Sequence, residues 1–214
     1  MGIPKRKNTS ELVKEVMKSD ASMINDTLSE LNQDAFDVAV DALIKGRHIY
    51  ILGVRNSAPL AQLLSFYLNP ILPCVRLIHT NSASEIYEQM IHIGPKDVVV
   101  GISFPRYSMR VLKALEFADS RRARIITITD SEHSPINMYS SCSLLAKSQM
   151  CSIMDSLTPA MSVINALVLA VSAKKKKKVM QKLEELGQVW EDYPVDNHDE
   201  MNPLADEFSI HHIE

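Results

Sequence analysis

Asp97-Val-Val-Val-Gly-Ile-Ser-Phe-Pro-Arg-Tyr-Ser108 joins an apolar, β-branched run to a short polar loop that leads into a helix-patterned stretch. An unbroken apolar run marks a strand buried on both faces, whereas a half-exposed strand alternates. Four similar runs surround it: His48-Ile-Tyr-Ile-Leu-Gly53, Cys74-Val-Arg-Leu-Ile-His79, Arg124-Ile-Ile-Thr-Ile-Thr129 and Cys142-Ser-Leu-Leu-Ala146. Helix-like stretches at residues 58–68, 83–92 and 109–120 separate the first four strands. Strands alternating with helices predict a parallel sheet covered on both faces. With right-handed crossovers the result is a five-stranded, doubly wound α/β layer, a three-layer α/β/α sandwich.

Outward from this block the pattern is helical. Leu12, Val13, Val16, Met23, Ile24, Leu28 and Leu31 recur at three- and four-residue steps, as on an amphipathic helix, with N-cap oxygens available from Asn8, Thr9 and Ser10. A second helix is expected over residues 34–45, with Gly46 just past its end as a left-handed cap. A long apolar helix over residues 158–173 follows the last strand. Five lysines at 174–178 then open a further helix through Met180, Leu183, Leu186 and Trp190. A lysine run can serve nucleic acid or membrane, but the acids that follow favour a solvated helix face. Residues 193–214 mix acids, Pro and Asn without periodicity. The expected organisation is therefore a linker-like helix (1–33), an α/β domain (34–192) and a tail (193–214).

Composition narrows the function. Hydrophobic residues make up 46% of the 214, enough for a sizeable core. No apolar run approaches the ~20 residues of a membrane helix, and the basic, polar start lacks a secretory h-region. A cytoplasmic chain with no membrane partner is expected. Cys74, Cys142 and Cys151 are too few and too irregular for a disulfide framework or a zinc site, so no metal and no cofactor are expected. Cys74 and Cys142 read as buried thiols. A net charge of −3 argues against unaided DNA binding, which needs a positive face.

In an open parallel sheet ligands bind beyond the carboxyl ends of the strands, where the strand order reverses. For the order 2-1-3-4-5 that point lies between the first and third strands. It is crowned by residues 53–58 (Gly-Val-Arg-Asn-Ser-Ala) and 103–108 (Ser-Phe-Pro-Arg-Tyr-Ser). Both loops precede helices, whose unpaired N–H groups attract anions. Ser57, Ser103 and Ser108 add hydroxyls, Asn56 an amide, and Arg55 and Arg106 a charged fork suited to phosphate. Neither loop contains an acid. The plain alternative is that the serines merely cap helices while the arginines face solvent.

These residues carry a resemblance. Residues 34–173 resemble the SIS (sugar isomerase) domain, and more closely the version in RpiR/MurR-like bacterial regulators. The resemblance rests on residues 49–58, 97–108 and 123–135 (Ala-Arg-Ile-Ile-Thr-Ile-Thr-Asp-Ser-Glu-His-Ser-Pro). It implies a flavodoxin-like fold and a phosphorylated sugar bound by the loops after strands one and three, with Arg55, Asn56, Ser57, Ser103, Arg106, Tyr107 and Ser108 as ligand-binding residues. Self-association as a dimer or tetramer is implied as well. The common first loop reads Gly-x-Gly-x-Ser, and its second glycine is Arg55 here. The common second loop reads Ser-x-Ser-Gly-x-Thr; Pro105 and Arg106 replace its Ser-Gly pair, and Ser108 its Thr. In RpiR-like regulators a helix-turn-helix domain precedes the linker helix. This chain is expected to be an effector sensor without that domain, meeting DNA only through a module not present here.

The alternative is a phosphosugar aldose–ketose isomerase, which needs a base to move a proton between adjacent carbons and a group that opens the ring. Glu85, Glu88, His79 and His92 are the candidates, each with a duller reading as a surface group; no catalytic residue is assigned. Residues 154–159 (Met-Asp-Ser-Leu-Thr-Pro) are the other stretch where SIS proteins line the sugar. Asp155 there is a short substitute for the glutamate of the glucosamine-phosphate-type enzymes, and Ser156 or Thr158 can contact ligand or cap a helix.

Overall fold

The computed structural model describes residues 8–80, 82–151 and 154–192. Its first helix, α1 (Thr9–Ser29), starts where Asn8 and Glu11 close a reciprocal capping box: the Asn8 side chain accepts from the Glu11 N–H, and the Glu11 carboxylate from the Asn8 N–H. Asn32 caps α2 (Gln33–Lys45) in turn, through the N–H of Ala35. Then follow β1 (Ile49–Gly53), α3 (Ala58–Leu68), β2 (Val75–Ile78), α4 (Ala83–Met90), β3 (Val98–Ile102), α5 (Met109–Ser120), β4 (Arg124–Thr129) and β5 (Cys142–Leu145). A short antiparallel pair, β6 (Met150–Cys151) and β7 (Met154–Asp155), precedes α6 (Thr158–Lys174) and α7 (Lys176–Asp192). The chain divides into Met1–Lys176, which holds the sheet, and Lys177–Glu214. The tail expected at residues 193–214 lies outside the described residues.

The five strands are parallel in the order β2-β1-β3-β4-β5, so the switch point lies between β1 and β3. Side chains leave a strand alternately to its two faces, which gives the sheet two cores. Ile49 and Ile51 of β1 face α2, α3 and α6, packing with Leu43, Leu64 and Ile164. Tyr50 and Leu52 face α4 and α5, packing with Ile86, Met90 and Leu115. All five residues of β1 and of β3 are buried, as their continuous apolar runs predict.

Some details differ from expectation. Gly46 ends α2 at φ −62, outside the left-handed region. It is needed for space, since a Cβ there would stand 2.9 Å from Cγ2 of Val98. Cys74 is exposed, not buried: it turns the chain into β2 with φ 58. Cys142 is buried, and burial raises its thiol pKa to about 11, so it stays protonated and inert. The antiparallel β6–β7 pair is an element that the sequence pattern does not predict. Lys174 pairs with Asp41 at 2.9 Å, and Lys176, Lys177 and Lys178 are exposed, as on a solvated face. Among the described residues no helix is long and apolar enough to cross a membrane.

Candidate functional site

The switch point is built by two turns with the same backbone device. Arg55, just past β1, has φ 57, and Arg106, past β3, has φ 68. Both lie in the left-handed region, which a side chain makes costly by about 1 kcal/mol. These are the positions where the common SIS loops carry glycine. The chain keeps the glycine conformation and adds a guanidinium at each turn. Backbone strain of this kind persists where the surroundings over-determine it, and it concentrates at binding sites.

Each turn is held from below. Gly53 lets the Arg55–Ser57 turn fold back over the end of β1; a Cβ at Gly53 would stand 2.5 Å from the Ser57 carbonyl oxygen. In the second turn the Ser103 hydroxyl accepts from the Ser108 N–H at 3.2 Å, while the Ser103 carbonyl accepts from the Thr129 hydroxyl of β4 at 2.7 Å. The Tyr107 hydroxyl donates to Asp130 at 2.8 Å. Burial raises the Tyr107 pKa and the Asp130 carboxylate adds to the shift, so the phenol remains a neutral donor.

A third segment completes the arrangement. Asp155, at the end of β7, sends one carboxylate oxygen into the space between the two turns. Its Oδ2 accepts from a terminal guanidinium nitrogen of Arg106 at 2.6 Å and from Nδ2 of Asn56 at 3.2 Å. The Asp155 side chain is 3% exposed, that of Arg106 60%. An acid therefore does stand beside the loops, supplied from a distant part of the chain. Residues 56, 106 and 155 meet at one point although 99 positions separate the first from the last.

The predicted residues divide accordingly. Asn56 and Arg106 converge. Arg55 is exposed on the same turn, and Ser57 is 2% exposed beneath it. Ser103 and Tyr107 brace their loop, and Ser108 caps α5 through the N–H of Arg110 at 3.3 Å. Glu85, Glu88, His79 and His92 are all exposed; Glu85 accepts from the Thr80 hydroxyl, and His92 lies before β3, at the opposite end of the sheet. A cavity of about 320 Å³ beside β5, lined by Glu30, Asn32, Glu132, Asn137, Ser140 and Ser143, contains none of these residues. Its two glutamates suit it poorly to an anion.

Asp20 carries no local sequence signal for the bonds it makes. The Ser156 hydroxyl donates to Asp20 at 2.6 Å and the Thr158 hydroxyl at 3.1 Å, tying α1 to the segment that carries Asp155. Asp20→Ala should cost roughly 1–2 kcal/mol locally, because two hydrogen bonds to a charged acceptor are lost at a partly solvated site. Amide hydrogen exchange should then accelerate in α1 while β1 and β3 keep their protection.

The family model described as the SIS domain matches residues 42–170, more than half the chain. This chain belongs to the SIS domain family. An HTH-type transcriptional regulator of Caldanaerobacter subterraneus subsp. tengcongensis is 23% identical over 193 residues, covering 88% of this chain and 67% of the regulator. The sugar isomerase domain of the RpiR transcription factor from Sphaerobacter thermophilus superposes with a TM-score of 0.79 at 23% identity, over 83% of this chain and 99% of that one. The NanR protein of Vibrio vulnificus, solved with ManNAc-6P, gives 0.76 at 16% identity, over 88% and 72%. Phosphoheptose isomerase GmhA of Neisseria gonorrhoeae gives 0.67 at 16%, over 77% and 99%. At these identities the structures share the SIS fold, on which regulators and isomerases both occur.

Proposed function

We propose that this SIS domain binds a phosphorylated sugar and acts as the effector sensor of an RpiR-like transcription regulator. The observation that carries the reading is the convergence of Arg106 and Asn56 on one oxygen of Asp155. Two donors from the two switch-point turns already hold an anionic oxygen between them, which is the task a sugar phosphate would set them. Arg55, exposed on the first turn, supplies further charge at the rim. The NanR relative, solved with ManNAc-6P, supports a phosphosugar as the ligand class. Self-association belongs to the same proposal: α1 leaves Leu12, Val13, Val16 and Met17 exposed, an apolar stripe a second copy would cover.

The isomerase reading is the weaker one, because Glu85 and Glu88 are exposed and Glu85 is engaged by Thr80 rather than directed at Arg106. Turnover of any member of a phosphosugar panel, lost in Glu85→Gln, would reverse that ranking.

Ligand that binds only the folded state raises its melting temperature. A phosphosugar panel should therefore contain members that raise Tm, while their neutral parent sugars do not. Arg106→Gly removes the charge and suits the left-handed backbone, so folding is preserved; it should reduce the phosphosugar response at least 10-fold in midpoint. Equal responses to phosphorylated and neutral sugars would overturn the reading.

A further inference from the structure

The Asp155 carboxylate occupies the position between Asn56 and Arg106 where a ligand's anionic group would sit. We propose that Asp155 is a specificity-determining residue, an internal competitor that closes the site to weak anions and yields only to a phosphate dianion. The inference rests on the phosphosugar reading and names what that reading leaves open, the charge threshold of the site.

A tethered group competes at an effective concentration of millimolar or more, so a free ligand binds only by outcompeting it. A monoanionic carboxylate offers Arg106 and Asn56 the chemistry that Asp155 already supplies, and gains nothing by exchange. A phosphomonoester brings close to two negative charges and three acceptor oxygens, enough to engage Arg106, Asn56 and a helix N-terminus together. A neutral sugar cannot displace the ion pair at all. Discrimination between phosphorylated and neutral sugars thus comes from Asp155 as well as from Arg106.

The location of Asp155 permits the exchange. It ends β7, one residue before Ser156, whose hydroxyl is bonded to Asp20. The seat opens from the Arg106 side, where 60% of the side chain is exposed, while the carboxylate itself is 3% exposed when paired. The apparent affinity of such a site is its intrinsic affinity multiplied by the fraction of molecules in which the seat is open.

Asp155→Asn tests this directly, since the amide keeps the shape and one acceptor oxygen but loses the charge. The probes are inorganic phosphate and acetate at matched ionic strength, read by thermal shift and by calorimetry. Phosphate should bind Asp155→Asn at least 10-fold more tightly than the unaltered chain. Acetate, without effect on the unaltered chain, should produce a measurable response. Arg106→Gly, alone and combined with Asp155→Asn, should abolish the phosphate response in both backgrounds. If Arg106→Gly abolishes binding but Asp155→Asn leaves phosphate affinity unchanged or weaker, the competitor role is overturned while the binding site stands. If phosphate binding survives both Arg106→Gly and Arg106→Lys, the binding site falls, and the competitor role with it.

Discussion

Gly53→Ala should abolish the phosphosugar response and lower Tm by several degrees. A Cβ at this position would stand 2.5 Å from the Ser57 carbonyl oxygen, 3.0 Å from its carbon and 3.1 Å from the Ala61 Cβ. Two of these are backbone atoms, which cannot swing aside as a side-chain tip does. The turn over Arg55 and Asn56 must lift, and α3 with it, because Ser57 stands at the helix N-terminus. Overpacking of a buried site costs about 1–3 kcal/mol, and each kcal/mol shifts Tm by roughly 2–4 °C in a domain of this size. Function should suffer more than stability, since a displacement of ~1 Å separates Asn56 from the point it shares with Arg106. Gly94→Ala is the matched control: its Cβ would meet nothing nearer than Asp97 Oδ2 at 4.0 Å, and it should change neither property. A Gly53→Ala protein that keeps the full ligand response would show that the first turn does not form the site.

What the sequence revealed here, and what it hid, follows from how far apart the interacting residues lie. The three central strands were legible because burial on both faces leaves an unbroken apolar run, as in Val98 to Ile102, whereas the edge strands β2 and β5 are only partly buried. The two switch-point turns followed from strand order alone, and their left-handed arginines agree with the glycines those loops usually carry. Asp155 as a partner of Arg106 was not legible: its link to Asn56 spans 99 positions, and no local pattern records which distant carboxylate reaches a loop. The hairpin that positions it has two-residue strands, too short to show alternation. Asp20 was hidden for the same reason, as a polar residue on a helix whose apolar stripe dominates its pattern. Cys74 misled because an apolar neighbourhood in sequence says nothing about a turn residue at φ 58. A signal for the buried Asp97 at the sheet's opposite end did exist: it interrupts the approach to an apolar strand, and an acid there survives only with partners.

Asp97→Asn should destabilise the domain by roughly 3 kcal/mol at neutral pH and flatten its acid denaturation. The Asp97 side chain is 0% exposed. It accepts from Nε of Arg47 at 2.9 Å, from a terminal nitrogen of the same guanidinium at 2.8 Å, from Nδ1 of His48 at 3.0 Å and from the Gly94 N–H at 2.8 Å. Four donors thus join the turn before β3 to the start of β1. An asparagine has one oxygen to offer them and turns two donors of its own toward the guanidinium, so buried partners go unmatched. Burial alone would raise the Asp97 pKa. The bonds from Arg47, His48 and Gly94, with the Arg47 charge, outweigh it and hold the carboxyl at about 2. The folded pKa lies below the unfolded value of about 3.9, so the carboxylate's contribution is complete above pH 4 and is lost as pH falls toward 2. The shift corresponds to roughly 2 kcal/mol, a size the half-exposed Arg47 reduces rather than enlarges. Urea denaturation at pH 7, 4, 3 and 2 reads both effects. Unaltered protein should lose stability steeply below pH 4, and Asp97→Asn should start lower and fall less. Parallel pH curves for the two proteins would mean that another carboxylate governs the acid transition and that Asp97 is held mainly by shape.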